Sequence, residues 1–230
     1  MDLLDKNIVL VLFCAGARLV LHIVPLGSLT SASRMAIEPR IASKRLVRCH
    51  AYPLFGQPHE LNQRYNVDGL LVATTRRSDQ SHGSYLQVFR AGYLEAVDSS
   101  MISSNVNAEN GGMPSELIEQ ELFIRIPAYI KFLSELGVAP PYVVNMSLIG
   151  VKGYCHLGAK TRSSTEDRTT PYFDRNLVRL PPVLLAADQL SSKITTLLEP
   201  LMHAFWQAGG IEAYPRYRDN DYHSKSDEVW

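Results

Sequence analysis

The sequence predicts an α+β fold in which a mixed β-sheet with a central hairpin is covered by two long amphipathic helices. Short apolar runs rich in β-branched residues recur through the first hundred residues, as in strands. From Leu117 onward, apolar residues recur at three- and four-residue steps, the spacing of a helix that buries one face. A chain of 230 residues that is 46% hydrophobic and 20% charged is typical of a globular domain. Residues 1–213 are therefore predicted to form a single domain, followed by a mobile polar tail over 214–230.

The first four predicted strands are apolar runs bounded by turn or polar residues. Runs at 7–13 and 18–25 predict two strands, and the second ends at Pro25 because proline cannot donate to a sheet ladder. Residues 46–52 predict a further strand. Residues 68–74 predict a buried one, since five apolar or small side chains follow one another there.

A hairpin is the clearest local element of the sequence. Two alternating runs, 84–90 and 93–98, flank the dipeptide Ala91-Gly92. Successive side chains of a strand point to opposite faces, and glycine permits a tight turn, so the pattern predicts a β-hairpin. Apolar residues occur on both faces of the runs, which predicts that the hairpin lies inside a sheet.

Two later segments have helical spacing. The first runs from 117 to 136 and ends at Gly137, and the second covers roughly 191–208 and ends at a glycine pair. Glycine after the last turn is a common helix stop. Between the two helices, the apolar run at 142–151 predicts another strand.

The cysteines predict a reducing compartment. Cys14, Cys49 and Cys155 form an odd and sparse set, which does not suit a disulfide framework and favours the cytoplasm.

The apolar N-terminus lacks the basic flank of a signal peptide. Arg18 and His22 interrupt its apolar run, so no membrane span is predicted.

Charge is balanced over the chain but unevenly distributed. Lys and Arg number 23, as do Asp and Glu, so no global field attracts nucleic acid. Residues 18–77 carry nine basic and three acidic residues, whereas 91–136 carry seven acidic and two basic ones. This asymmetry predicts phosphate contact through the basic region and pairing with a protein partner or a second copy through the acidic one. The predicted nucleic-acid contacts are Arg34, Arg40, Lys44, Arg45, Arg48, Arg76 and Arg77.

Three carboxylates leave an enzymatic alternative open. Asp68, Glu95 and Asp98 lie on or beside successive predicted strands, and a metal-dependent nuclease or other hydrolase gathers carboxylates in this way. No lysine lies near Glu95, and Asp68 precedes a glycine as a turn residue does. The sequence therefore favours a non-enzymatic protein. If the protein is instead such a hydrolase, these three residues are its candidate catalytic residues.

Signatures of metal and cofactor binding are weak or missing. The dipeptides Cys49-His50 and Cys155-His156, with a further histidine, offer zinc ligands. Adjacent residues on a strand point to opposite faces, however, and the C-x-x-C step of closed zinc sites is missing. Phosphate-binding, dinucleotide-binding and nucleophile-elbow motifs do not occur in the sequence. No metal and no cofactor are therefore predicted.

Several segments together resemble the C-terminal region of bacterial proteins that begin with a Schlafen AlbA-type DNA-binding domain. These segments are 18–26, 64–71, the hairpin closing at 95–98, Pro140-Pro141 before 143–153, and the final helix with Trp206. The DNA-binding domain of that family lies upstream of this region, so the resemblance implies a companion domain without it. It implies a regulatory or defence-related setting and supplies no catalytic residue.

The leading expectation is a cytoplasmic, non-enzymatic module of a bacterial regulatory or defence-related assembly. It recognises a protein partner, a second copy of itself or nucleic acid. A metal-dependent nuclease or other hydrolase that uses the strand-end carboxylates is the alternative.

Overall fold

The computed structural model describes residues 16–29, 37–74, 82–103, 111–157, 171–189 and 193–212. The predicted strand at 7–13 and the predicted tail lie outside these ranges. In chain order, the elements are β1 (Arg18–Pro25), α1 (Pro39–Arg48), β2 (Leu61–Tyr65), β3 (Gly69–Thr74), β4 (Ser84–Phe89), β5 (Leu94–Asp98), α2 (Ser100–Ser103), β6 (Gly112–Met113), α3 (Ser115–Glu135), β7 (Tyr142–Ile149), β8 (Cys155–His156), β9 (Leu177–Arg179), β10 (Val183–Leu185) and α4 (Ile194–Ala208). Helices and a mainly antiparallel sheet make the fold α+β.

The main sheet has the strand order β10-β7-β1-β5-β4-β3-β2, and β9 pairs with β7 next to β10. Every pair in it is antiparallel. The prediction of a mixed main sheet is therefore wrong for the described strands. Among them, parallel pairing occurs between β6 and β8, which form a separate small sheet. Strands β2 to β5 follow one another across the sheet, which is the arrangement that direct strand-to-strand turns produce.

Strand β1 is an inner strand of the sheet and lies between β5 and β7. Because β5 and β7 are both antiparallel to β1, they run parallel to each other. The chain between them includes the 21-residue helix α3, a connection of the length that parallel strands require. The strands predicted at 18–25 and 142–151 are confirmed as β1 and β7.

Residues Pro39–Arg48 form a helix, so the strand predicted at 46–52 is wrong. The side chain of Glu38 accepts a backbone hydrogen bond in the first turn, and proline occupies the start of the helix, where its missing N–H costs nothing. Ala42 and Leu46 are buried on one side. Of the apolar residues that suggested a strand, only Leu46 lies on the inner face of this helix, since Val47 is exposed and the others follow the end of the helix.

The two faces of the sheet differ in what covers them. We call the face that carries Leu19, Leu21 and Ile23 the helix face, because these residues share one core with buried side chains of α1, α3 and α4. The opposite face, with Val20 and His22, is the second face. No helix among the described residues is both long and apolar enough to cross a membrane.

Candidate functional site

Helix α1 brings three of the predicted nucleic-acid contacts onto one exposed face. Arg40, Lys44 and Arg48 follow one another at four-residue steps, and all three are exposed. Residues four apart lie on the same side of a helix. We call this set the cationic stripe. The other predicted contacts at 34, 76 and 77 lie outside the described residues.

Arg45, the remaining predicted contact, is engaged with α3. Its Nη1 atom lies 3.2 Å from Oε2 of Glu135, and the Nε of Arg48 lies 3.8 Å from Oε1 of the same carboxylate. The Arg48 side chain is nevertheless 74% exposed, against 40% for Arg45. Arg45 therefore joins α1 to α3, while Arg48 extends the stripe into solvent.

Exposed apolar side chains lie on α1 itself, and an exposed tyrosine lies on the same side of the sheet. Ile41 and Val47 of α1 are about half exposed, as is Tyr65 at the end of the edge strand β2. Tyr65 pairs in register with Leu70, which belongs to the core of the helix face, so Tyr65 projects from the same side of the sheet as α1. The neighbouring surface thus combines positive charge with exposed apolar groups.

The three candidate carboxylates do not converge. Glu95 and Asp98 are three residues apart on β5 and therefore point to opposite faces. Asp98 is buried and accepts hydrogen bonds from the Ser100 hydroxyl at 2.6 Å and the Met101 N–H at 3.1 Å. Asp68 precedes β3 in the turn from β2. Within the described ranges, no three His, Cys, Asp or Glu residues are grouped so as to hold a metal ion.

Glu95 instead belongs to a hydrogen-bonded cluster on the second face. Its Oε2 lies 2.9 Å from Nε2 of His22 on β1, and its Oε1 accepts a hydrogen bond of 2.6 Å from the Tyr85 hydroxyl on β4. Glu95 lies directly opposite His22 in the register. Neither Tyr85 nor His22 was among the candidate catalytic residues predicted from the sequence. Pairing between β1 and β5, which no local pattern predicts, brings them together.

Electrostatics fix the protonation of Glu95 and Tyr85, which with His22 form what we call the His22–Glu95–Tyr85 cluster. The hydrogen bond from His22 lowers the pKa of Glu95, against the opposing effect of burial, and the Tyr85 hydroxyl lowers it further. Burial, followed by the hydrogen bond to Glu95, raises the pKa of Tyr85 well above its ordinary value. Glu95 is thus an ionised acceptor and Tyr85 a donor. His22 must then donate Nε2–H, since a carboxylate has no proton to give.

Strand β7 adds polar groups beside the cluster. Asn145 pairs in register with His22, and Ser147 lies two residues further along the same face. Both side chains are partly buried. On the far side of β7, Ser147 pairs with the exposed Arg179 of β9. The second face therefore presents an imidazole, an amide, a hydroxyl and a guanidinium over three adjacent strands.

The two Cys-His dipeptides are separated into different environments. Cys49 is buried at the end of α1, while the exposed His50 follows it with a φ of 53°. His156 is buried, and its Nδ1 and Nε2 atoms contact the Ser115 hydroxyl and the Trp206 carbonyl. Both ring nitrogens of His156 are therefore occupied by protein groups.

Comparison with protein-family models, curated proteins and solved structures finds no match for this chain. A functional assignment therefore depends on the two surfaces described above, the cationic stripe and the His22–Glu95–Tyr85 cluster.

Proposed function

We propose that the protein is a nucleic-acid-recognising module that contacts phosphates through the cationic stripe of α1. One observation carries the proposal: Arg40, Lys44 and Arg48 share one exposed helix face, while the opposite face of the same helix is buried in the core. A buried inner face fixes the orientation of the helix. The three cations are consequently presented together on a rigid support.

The geometry of the stripe suits a phosphate backbone. Steps of four residues place successive cations about 6 Å apart along the helix axis. Arginine, which forms two of the three positions, binds phosphate oxygens with two parallel N–H groups. Contacts of this kind give affinity and register without reading sequence.

The surroundings of the stripe favour single strands over duplexes. Ile41 and Val47 are exposed on the same helix as the cations, and Tyr65 is exposed on the same side of the sheet as that helix. Unpaired bases stack on aromatic side chains, whereas paired bases are shielded within the duplex. In the bacterial regulatory or defence-related assembly implied by the Schlafen AlbA-type resemblance, such a module adds phosphate contacts to those of other domains.

The salt dependence of binding tests this proposal. Labelled single-stranded RNA and DNA are titrated by fluorescence anisotropy at 50 and 200 mM salt. Three phosphate contacts on a single strand predict that the affinity falls about 20-fold between these concentrations. The variant Arg40→Ala/Lys44→Ala/Arg48→Ala is expected to bind more weakly, and its plot of log affinity against log salt is expected to be shallower by about 2.

A matched variant controls for net charge. Lys152→Ala/Arg175→Ala/Lys193→Ala removes three exposed cations that lie outside α1, so its total charge equals that of the stripe variant. It is expected to keep the wild-type slope. Equal slopes for all three proteins, or equal losses in both variants, would contradict the proposal.

A further inference from the structure

We propose that His22 is a general base that removes the proton from the 2′-hydroxyl of an RNA strand lying on the second face, so that the strand is cleaved at the adjacent phosphodiester. The substrate class rests on the proposed function, but the cluster that performs the step is separate from the cationic stripe. Its parts lie on β1, β4 and β5.

The arrangement of His22 is that of a base rather than of a core histidine. Nε2 is used by Glu95, and among the described residues Nδ1 has no hydrogen-bond partner. A neutral imidazole that donates from Nε2 carries its lone pair on Nδ1. The side chain is 32% exposed, so the imidazole lies at the surface of the sheet and not within the core.

Glu95 and Tyr85 position this base. The carboxylate holds one tautomer of the ring and stabilises the imidazolium that forms when Nδ1 takes a proton. The Tyr85 hydroxyl in turn fixes the second carboxylate oxygen at 2.6 Å. All three residues lie on paired strands of the sheet, which provide the rigid support that a reactive geometry requires.

The neighbouring groups favour a phosphodiester that carries its own nucleophile. Arg179 of β9 lies two strands from His22 and two residues out of register with it, so their backbones are about 12 Å apart. Its side chain offers a cation to the phosphate. Asn145, directly opposite His22, offers an amide donor. RNA combines an anionic phosphate with an adjacent hydroxyl, so a base, a cation and a donor are sufficient for the reaction.

The step is a transesterification. Nδ1 of His22 takes the proton of the 2′-hydroxyl, and the 2′-oxygen forms a bond to phosphorus as the bond from phosphorus to the 5′-oxygen breaks. The departing 5′-oxygen takes a proton from water, and His22 returns its proton to solvent. The products are a 2′,3′-cyclic phosphate and a 5′-hydroxyl. No oxidant or reductant is consumed.

A DNA oligonucleotide with one internal ribonucleotide tests the proposal. The full-length protein is incubated with it in EDTA, and the fragments are identified by mass spectrometry. Cleavage is expected only after the ribonucleotide, with a cyclic phosphate end, and the all-DNA strand is expected to stay intact. Failure of the wild-type protein to cut the bound strand would overturn the proposal.

Two variants assign the roles. His22→Ala is expected to cut at least about 100-fold more slowly, and added imidazole is expected to restore part of the rate, which a purely structural defect does not allow. Glu95→Gln is expected to lower kcat with little change in KM, because Glu95 positions the base without touching RNA. His59→Ala, at a largely exposed histidine, is the control. Unchanged cleavage by His22→Ala would overturn the assignment.

A dinucleoside monophosphate distinguishes a failure of the catalytic role of His22 from a failure of phosphate binding by the stripe. The dinucleotide UpA is too short to span from the stripe to the second face, and at millimolar concentration it is expected to be cut equally by the wild-type and stripe variants. Longer RNA is expected to be cut less by the stripe variant. If RNA binds through the stripe but stays uncut, the catalytic role of His22 is overturned and the proposed function is not.

Discussion

Glu95 and Asp98 show how the side of the sheet that a residue faces decides its chemistry. Both are acids of β5, three residues apart. Glu95 meets His22 and remains ionised, whereas burial raises the pKa of Asp98 to about 6 despite hydrogen bonds from Ser100 and Met101. Strand periodicity alone predicts that the two acids diverge. The side chains that these acids contact, however, depend on which strands pair. The sequence therefore could not show which of the three candidate carboxylates meets a functional partner.

Cys49 is expected to be unreactive in the folded protein. Burial, and next the carboxylate of Glu135, raises the pKa of its thiol to about 11, so the nucleophilic thiolate is scarce at pH 8. Alkylation with iodoacetamide followed by peptide mass spectrometry measures this. Cys155, which is partly exposed, is expected to be labelled first, and Cys49 only after urea is added. Faster labelling of Cys49 in the native protein would show that the site opens.

At the scale of elements, long periodic segments were predictable and the short helix was not. The helix predicted at 117–136 and the strand predicted at 142–151 agree with α3 and β7 within a few residues. In segments of this length, one or two side chains that break the periodic pattern do not obscure it. Helix α1 has ten residues, and only three of its apolar positions face the core. Pro39 was the usable signal, since proline is common at the first position of a helix.

The first position of β3 is expected to require glycine. Gly69 has a φ of 149°, and a Cβ at this position would overlap with the carbonyl oxygen of Val88 on β4. Gly69→Ala is therefore expected to destabilise the fold by about 3 kcal/mol in urea unfolding. Gly137, also at positive φ but with no atom near its Cβ position, is the matched site. Gly137→Ala is expected to cost about 1 kcal/mol, and equal costs would exclude the clash as the cause.

For the whole molecule, one buried polar network joins elements that are distant in sequence. His156 of β8 contacts the Ser115 hydroxyl at the start of α3 and the Trp206 carbonyl near the end of α4. The Trp206 indole donates at 3.0 Å to Glu119, which is also buried in α3. No local pattern in the sequence predicts these contacts, since they join residues 41 to 87 positions apart. The network links α4 to α3 and β8.

Acid is expected to weaken the fold through His156. Burial lowers the pKa of His156 to about 4, whereas an unfolded histidine titrates near 6.5, so protons bind the unfolded chain first and stability falls as the pH drops through 6.5. The loss between pH 7 and 4.5 is expected to be about 2 kcal/mol from this residue. Asp98, with its raised pKa, acts in the opposite direction, so the pH dependence of the wild type alone is not diagnostic.

Urea unfolding of wild type, His156→Gln and the control His59→Gln isolates the contribution of His156. His156→Gln is expected to be less stable at pH 7 and to lose about 2 kcal/mol less than the wild type on acidification. Parallel curves of unfolding free energy against pH for all three proteins would contradict this role of His156.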